Sequence, residues 1–243
     1  MKILIVEDEE ALAKGLKFNF EQEGFQVTVA TDGPTGLDLF HQADPGFDLV
    51  ILDLMLPGMS GYETCRNIRQ TNQQIPVLVL SARTLSQDKA LAFDAGSDQY
   101  MTKPFALPEL LSRVRNLIER HSNRNPTSPA SPPTAPDIYR FGDGITVDFG
   151  RFQIDVRGKN YDLTTKEQQL LRYLILHEGL VVSRSQIMED VWDETVELTT
   201  RTIDNFVLRL RRYIEPNPAQ PQHILSVRGT GYRFISNNTD ANN

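Results

Sequence analysis

The sequence predicts two domains of different fold class: an α/β domain with a doubly wound, five-stranded parallel sheet, followed by a smaller α+β domain. In the first half of the chain, five short apolar runs alternate with five amphipathic stretches, a pattern typical of repeated strand–helix units. Residues 123–136 then hold five prolines without apolar periodicity, which predicts a semi-extended linker. Beyond it the pattern changes to short strands, three helical stretches and a glycine-bearing hairpin.

The composition is that of an ordinary globular protein of 243 residues, long enough for two cores. No apolar run approaches the roughly 20 residues of a membrane span, and the acidic start is unlike a signal peptide. Cys65 is the single cysteine, which excludes an internal disulfide, so we expect a cytoplasmic protein without a membrane partner. The expected boundaries are 1–120 for the first domain, 121–138 for the linker, 139–236 for the second domain and 237–243 for a disordered tail.

Strands and helices are predicted to alternate throughout the first domain. The five strands are 3–6, 26–30, 49–52, 76–82 and 98–102. The five helices are 10–23, 34–43, 61–70, 86–95 and 107–120. The first, third and fourth strands lack polar alternation, as expected when helices cover both faces of a parallel sheet.

Charged and polar side chains stand where these strands end. Glu7 and Asp8 follow the first strand, Asp53 ends the third, Ser81 lies at the end of the fourth and Lys103 follows the fifth. In an open parallel sheet these positions meet at one edge, where ligands bind. Carboxylates so close together repel one another unless a cation joins them, and Mg²⁺ suits them because it accepts carboxylate and phosphate oxygens. Taken singly, these are ordinary loop acids and a surface lysine; together they predict a carboxylate nucleophile that receives a phosphoryl group.

The last helical stretch of the second domain, 199–215, has one apolar face and one face rich in arginine. The apolar positions, expected in the core, are Ile203, Val207, Leu210 and Ile214. The opposite face and its flanks hold Arg201, Asn205, Leu208, Arg212, Arg209 and Arg211. Arginine and asparagine can read base edges, and further arginines suit phosphates. Arginine-rich surface helices are also common, so this helix alone leaves nucleic-acid binding open.

Two helices near 165–178 and 184–192 precede this stretch, and the hairpin 224–235 follows it. Three helices with a terminal hairpin predict a helix-turn-helix with a wing. Arg228 lies at the glycine-flanked turn of the hairpin, from which it could enter a minor groove. The net charge of −7 argues weakly against a nucleic-acid partner, although acids elsewhere can mask a local basic surface.

Four stretches, ILIVEDE, LVILDLMLPGMSG, PVLVLSAR and DQYMTKPF, resemble the motifs of the bacterial response-regulator receiver domain, a flavodoxin-like fold, over about residues 1–120. The resemblance implies that a cognate sensor histidine kinase phosphorylates Asp53. It implies Mg²⁺ on Asp8, Asp53 and the Met55 backbone carbonyl, with Glu7 supporting the site. It also implies that Lys103 binds the phosphoryl group and that Ser81 and Tyr100 form a switch pair.

The stretches YDLTTKEQQLLRYLI, GLVVSRSQIMEDVW and SVRGTGYRF, with the helix 199–215, resemble the winged-helix effector domain of OmpR/PhoB-type regulators over about 139–236. The resemblance implies promoter DNA with direct-repeat half-sites, RNA polymerase as a partner of the loop 193–199, and a homodimer when phosphorylated. The implied dimer contacts are Lys89, Asp98, Glu109 and Arg113. The implied DNA contacts are Arg201, Asp204, Asn205, Arg209, Arg211, Arg212, Arg228 and Thr230.

The sequence departs from the family pattern at three positions. Phe206 and Leu208 stand where members often have a histidine and a basic or hydroxyl residue, which leaves individual base contacts open. Gln99 replaces a frequent aspartate of the dimer surface. A phosphatase with Asp53 as transient nucleophile is an alternative, but Met55 stands where such enzymes place a second aspartate. A constitutive DNA-binding protein with a vestigial receiver is another alternative. The presence of all the strand-end residues, Glu7, Asp8, Asp53, Ser81 and Lys103, argues against it. We therefore expect a regulator and not an enzyme.

Overall fold

The computed structural model describes residues 1–44, 46–122, 138–192 and 200–236. The chain divides into two compact units, Met1–Ser128 and Pro129–Asn243. Most of the predicted linker, the predicted tail and the loop 193–199 lie outside the described residues. Within the described part, no helix combines the length and the apolar character that crossing a membrane requires.

The first unit is built on a parallel sheet of five strands. They are β1 (Lys2–Val6), β2 (Gln26–Ala30), β3 (Leu49–Asp53), β4 (Val77–Ser81) and β5 (Gln99–Thr102). Their order across the sheet is β2-β1-β3-β4-β5. The order reverses between β1 and β3, and ligands of such sheets bind beside this reversal at the carboxyl ends. The predicted doubly wound α/β fold is confirmed, and each strand lies within one residue of its predicted range.

Helices cover both faces of this sheet. They are α1 (Glu10–Gln22), α2 (Gly33–Gln42), α3 (Gly61–Thr71), α4 (Ser86–Asp94) and α5 (Leu107–Ser122). Alternate residues of β1 show the two-sided burial. Ile3 and Ile5 pack with apolar side chains of α1 and α5, whereas Leu4 and Val6 pack with those of α2 and α3. This burial on both faces explains the apolar strands without polar alternation.

The second unit begins with an antiparallel sheet of four strands in chain order. They are β6 (Ile138–Phe141), β7 (Ile145–Asp148), β8 (Gln153–Val156) and β9 (Lys159–Asp162). Three helices follow, α6 (Thr165–Leu176), α7 (Arg184–Val191) and α8 (Thr200–Ile214). The closing hairpin consists of β11 (Ile224–Val227) and β12 (Gly231–Phe234). These elements confirm the predicted winged helix-turn-helix.

One strand of the second unit was not predicted. β10 (Val181–Ser183) pairs antiparallel with β12 and forms a third strand of the wing sheet. Its three residues are too few to show alternation, so the strand depends on its tertiary partner. A Cβ at Gly231 would lie 2.0 Å from the Val182 carbonyl oxygen, so only glycine allows β12 to approach β10 this closely.

A buried ion pair joins the end of α3 to the turn before β5. The Arg69 guanidinium donates to Asp98 Oδ2 at 2.8 Å and to the carbonyl oxygens of Ile75 and Gly96 at 2.7 and 2.8 Å. The same Asp98 oxygen accepts from the Val77 N–H at 2.7 Å. The Arg69 and Asp98 side chains are only 6% and 1% exposed. Removing either partner would therefore leave a buried charge without compensation.

Arg69→Ala should lower the free energy of unfolding of the first unit by about 3–5 kcal/mol, because Asp98 would remain charged and unpaired in the interior. Urea unfolding of the full-length protein, followed by circular dichroism, measures this change. Fluorescence of Trp192, the single tryptophan, follows the second unit separately. Arg66→Ala, at an exposed position one turn earlier on α3, is the matched control and should change stability by less than about 0.5 kcal/mol. Equal stability of the two variants would contradict the prediction.

Candidate functional site

Asp53 ends β3 with its side chain held in place from two directions. The residue is only 5% exposed. Its Oδ1 accepts from the Met55 N–H at 2.9 Å. Helix α3 starts directly beside the strand end, where the Gly61 N–H donates to the Leu54 carbonyl oxygen at 3.2 Å. A Cβ at Gly61 would lie 2.0 Å from the Asp53 carbonyl oxygen, so the glycine of the PGMSG turn fixes the position of Asp53.

Lys103 follows β5 and places its ammonium group between two carboxylates. Nζ donates to Asp53 Oδ2 at 2.6 Å and to the two Glu7 oxygens at 2.8 and 2.7 Å. The Lys103 N–H donates to the Ser81 carbonyl oxygen at 2.8 Å, which fixes the lysine relative to β4. Carboxylate oxygens of Glu7, Asp8 and Asp53 all lie within 4.8 Å of one another. The residues expected at the strand ends therefore meet at one edge of the sheet.

Burial and charge act in opposite directions on these groups. Burial raises the pKa of the Glu7 carboxyl above its ordinary value, although Lys103 pulls it down. Burial alone would lower the pKa of Lys103, but hydrogen bonds to Asp53 and Glu7 outweigh it, so the Lys103 pKa lies above its ordinary value. Three carboxylates around one ammonium leave an excess of negative charge, and oxygen ligands of this kind suit Mg²⁺. With Asp8 exposed to solvent, the set fits a divalent cation.

The predicted switch pair, Ser81 and Tyr100, points inward and is buried. The Tyr100 hydroxyl donates to the Arg83 carbonyl oxygen at 2.8 Å. Burial raises the pKa of Tyr100 to about 12, so the hydroxyl stays a donor. The Arg83 side chain in turn pairs with Asp88 at 2.7 Å. Sequence reasoning missed Arg83, and no signal could have identified it, because every residue has a carbonyl that can accept this bond.

The four charged residues predicted for a dimer surface lie in different environments. Glu109 is half-exposed and accepts from Arg113, one turn along α5, at 3.0 Å. Lys89 and Arg113 are largely buried. The expected surface position of Asp98 is contradicted, because Arg69 holds its carboxylate in the interior. The two residues are 29 positions apart, so no local pattern signals the pair.

Helix α8 has the two faces that the sequence predicts. Its four core positions are at most 2% exposed: Ile203, Val207, Leu210 and Ile214. Three side chains of the opposite face are exposed: Asn205, Leu208 and Arg212. The side chain of Arg201 lies outside the described part of the chain. The departure at Phe206 has a packing reason, because its buried ring contacts Trp192 edge-to-face at a centroid distance of 5.1 Å.

Three predicted DNA contacts have partners inside the second unit. Arg209 turns toward α6, with Nε 3.4 Å from a carboxylate oxygen of the buried Glu167. The Asp204 carboxylate accepts from the Tyr232 hydroxyl at 2.5 Å. Arg211 Nε donates to a carbonyl oxygen of β11 at 2.9 Å. A helical wheel predicts the direction of these side chains but not their partners in the fold.

The tip of the β11–β12 hairpin carries two exposed side chains, Arg228 and Thr230, on either side of Gly229. With Asn205, Leu208 and Arg212 on α8, they give the second unit exposed side chains on a helix and on a hairpin tip. These are the two elements with which winged helices contact the major groove and the adjacent DNA backbone or minor groove.

A doubly wound unit with an acidic cluster at its strand ends, joined to a winged helix-turn-helix, is the architecture of a two-component response regulator that acts on transcription. A family model described as the response regulator receiver domain matches residues 3–115. A second model, described as the C-terminal part of transcriptional regulatory proteins, matches residues 158–234.

Similar proteins cover nearly the whole chain. The sensory transduction protein RegX3 of Mycobacterium bovis is 39% identical over 238 residues, which is 96% of this chain and 98% of that protein. A probable transcriptional regulatory protein of Picosynechococcus sp. is 37% identical, over 96% of this chain and 92% of its own length. The crystal structure of DrrB, an OmpR/PhoB homologue of Thermotoga maritima, is 31% identical over 96% of this chain and 98% of DrrB, with a TM-score of 0.47. The chain belongs to the OmpR/PhoB family of response regulators. Its receiver domain implies a cognate histidine kinase, and its effector domain implies promoter DNA.

Arg209→Ala should destabilise the second unit by about 3 kcal/mol, because the buried Glu167 would lose its counter-charge. Urea unfolding followed by Trp192 fluorescence measures the loss, since this tryptophan packs on α8. Arg212→Ala, an arginine at an exposed position of the same helix, is the control and should leave stability within about 0.5 kcal/mol. A variant at Arg209 with unchanged stability would show that the pair with Glu167 contributes nothing to the fold.

Proposed function

We propose that the cognate sensor histidine kinase phosphorylates Asp53 and that phosphorylation promotes dimerisation and promoter binding. The observation that carries the proposal is the position of Lys103 Nζ, 2.6 Å from Asp53 Oδ2 at a buried strand end. An Asp53 carboxylate oxygen attacks the phosphorus of the kinase phosphohistidine. The phosphorus–nitrogen bond breaks with its electron pair going to the ring nitrogen, and the histidine departs as neutral imidazole, the proton already being on its other ring nitrogen. Lys103 is within reach of the incoming phosphoryl oxygens and offsets their charge.

We assign Mg²⁺ to Asp8, Asp53 and the Met55 backbone carbonyl, with Glu7 supporting the site. When bound, Mg²⁺ withdraws charge from the phosphoryl oxygens. The Met55 N–H holds Asp53 Oδ1, which limits rotation of the carboxylate and orients it for attack. Glu7 holds Lys103 beside Asp53, so that the ammonium group lies next to the attacking carboxylate.

Ser81 and Tyr100 are proposed to couple phosphorylation of Asp53 to a conformational change of the segment between β4 and α4. The Ser81 hydroxyl lies at the end of β4, where it can donate to a phosphoryl oxygen. Tyr100 is bound to the Arg83 carbonyl, two residues after Ser81, so both members of the pair act on the same short segment. A bond gained at Ser81 therefore stabilises the arrangement of this segment in which Tyr100 is bound to the Arg83 carbonyl.

Incubation of the full-length protein with acetyl phosphate and Mg²⁺ should add one phosphoryl group, detected by intact mass. Asp53→Asn or a chelator should abolish the addition, because an amide is not a nucleophile and the carboxylate charges would be left without their cation. Asp38→Asn, at an exposed position of α2, is the control and should label normally. Equal labelling of the Asp53 variant would contradict the proposal. Rapid metal-dependent release of phosphate over many turnovers would indicate a phosphatase, whereas we expect no such turnover.

We propose that the phosphorylated protein forms a homodimer through α4, β5 and α5. Glu109 is the accessible acid of the predicted set, whereas Arg113 and Lys89 carry charges of opposite sign but are largely buried. Asp98 is not part of this proposal, because its carboxylate is used by Arg69. Charged pairs of this kind determine the register and specificity of an interface more than its affinity.

Glu109→Lys should leave phosphorylation intact but raise the dimer dissociation constant of the phosphorylated protein by about tenfold or more, because it places a like charge beside Arg113. Sedimentation velocity of the acetyl-phosphate-treated protein measures the change. Glu119→Lys, the same charge reversal at another exposed position of α5, should dimerise normally. If both variants dimerise as wild type does, the interface lies elsewhere.

For the effector domain we propose promoter DNA with direct-repeat half-sites as the ligand. Asn205 and Arg212, with Arg201, would contact the major groove and its phosphates, and Arg228 and Thr230 the adjacent backbone or minor groove. Half-sites of this kind lie about one helical turn, or ~35 Å, apart.

The domain boundaries proposed are 1–120, 121–138, 139–236 and 237–243, with the correction that α5 runs to Ser122 and β6 begins at Ile138. A receiver dimer is expected to have two-fold symmetry, whereas direct repeats require two effector domains in the same orientation. The 14 residues 123–136, if extended as a proline-rich segment, could span roughly 43 Å, which would allow both arrangements at once. We further propose that the loop 193–199 contacts RNA polymerase. The place of action is the cytoplasm, where the promoter DNA lies.

A further inference from the structure

Asp204, a predicted DNA contact, has its carboxylate occupied by two groups of its own domain. Oδ1 accepts from the Tyr232 hydroxyl at 2.5 Å and from Arg184 Nε at 2.8 Å. Arg184, the first residue of α7, also donates to the Tyr232 hydroxyl oxygen at 3.3 Å and lies 4.8 Å from the centroid of its ring. Burial and the Asp204 hydrogen bond raise the pKa of Tyr232 to about 12, so the hydroxyl remains a donor. These contacts join α7, α8 and β12 at one point.

Arg211 makes a second set of contacts with the same hairpin. Its guanidinium donates to the Ile224 carbonyl oxygen from Nε at 2.9 Å and from Nη2 at 2.5 Å, and Nη2 also donates to Ser226 Oγ at 2.9 Å. The guanidinium carbon lies 5.8 Å from the centroid of the Tyr232 ring. Residues 204 and 211 are seven apart, which is about two helical turns, so both side chains leave the same side of α8.

We infer that Asp204 and Arg211 are not DNA contacts but positioning residues, which clamp the wing hairpin to the recognition helix at two points. The Asp204–Tyr232 clamp lies near the hairpin tip, since Tyr232 is the second residue of β12. The Arg211 clamp holds β11 at Ile224, its end farthest from the tip. This inference rests on the proposed DNA interface, because it concerns the distance between the exposed side chains of α8 and Arg228.

The backbone pairing of β12 with β10 holds the hairpin within its own sheet, and the two side-chain contacts hold that sheet against α8. With only one of these contacts left, the hairpin could pivot relative to α8. Four residues of β11 span about 13 Å, so a rotation of roughly 10° at Ile224 would move the tip by about 2 Å. A hydrogen bond does not survive a displacement of that size. With both clamps in place, Arg228 and Arg212 are held at a fixed separation, and DNA binding does not have to order the hairpin.

The test is a set of double-variant cycles on the full-length protein. The probe is a duplex enriched from a random-sequence library by the wild-type protein, and the dissociation constant is measured by fluorescence anisotropy. The positioning variants are Tyr232→Phe, which removes only the hydroxyl, and Arg211→Met, which removes only the donors. Each is combined with Arg228→Ala and separately with Arg212→Ala. Melting followed by Trp192 fluorescence identifies the temperature at which every variant is folded.

In the wild-type background, each positioning variant should weaken binding by about tenfold, because the wing contact is lost. In the Arg228→Ala background the further loss should be at most about twofold, since a misplaced tip has no contact left to lose. In the Arg212→Ala background the loss should remain about tenfold, because the contact of α8 is independent of the wing. A purely structural role would leave the affinity of folded protein unchanged in every background, and this result would overturn the inference.

The inference would also be overturned if a positioning variant weakened DNA binding in the Arg228→Ala background as much as in the wild-type background. Tyr232 and Arg211 would then affect DNA binding independently of Arg228. If neither Arg228→Ala nor Arg212→Ala affects binding, the proposed interface itself fails, and the clamp inference fails with it. The single variants therefore distinguish a wrong interface from a wrong role for the clamps.

Discussion

The receiver site depends on the ammonium group of Lys103, which balances two buried carboxylates at adjacent strand ends. β1 pairs with β3 so that Val6 lies opposite Leu52, and the next residues, Glu7 and Asp53, consequently lie side by side. An unpaired carboxylate in this position would cost several kcal/mol, so the two acids and the lysine are stable only together. The same contacts orient the proposed nucleophile before any reaction begins, and such positioning is a main source of rate enhancement in phosphoryl transfer.

The strand-end site could be predicted from the sequence because it follows from topology. Once a parallel sheet is recognised, the residues after each strand must meet at one edge, whatever the helices between them do. The contact of Asp98 with Arg69 could not be predicted in this way. Asp98 has the charge expected of a surface residue, but Arg69 binds it across 29 positions of chain, and neither residue carries a local signal of that contact. The strand β10 was missed for the same reason, because its pairing with β12 gives it its conformation.

Three arginines of α8 show how far a helical wheel can predict function. Arg209 pairs with a buried glutamate, Arg211 binds the carbonyl of Ile224, and Arg212 is exposed. The wheel separates the core face from the rest of the helix correctly. The wheel cannot tell Arg212 from Arg209 and Arg211, because the partners of the latter two come from other elements, α6 and β11. Charge on a predicted recognition helix therefore overestimates the number of DNA contacts, since some arginines stabilise the domain.

In the proposed reaction, a phosphoryl group changes the charge at Asp53 from −1 to about −2. A ligand can shift a conformational equilibrium only through interactions that differ between the two states. The Tyr100 hydroxyl already has an acceptor in the Arg83 carbonyl, so within the proposed switch pair the new interaction is the one that Ser81 makes with the phosphoryl group. The interactions of Lys103 differ more between the two states. Stronger attraction to the phosphoryl oxygens weakens its bonds to Glu7, while its backbone N–H keeps it attached to the Ser81 carbonyl. The charge added at β3 therefore acts first on the ends of β4 and β5, from which α4 and α5 begin.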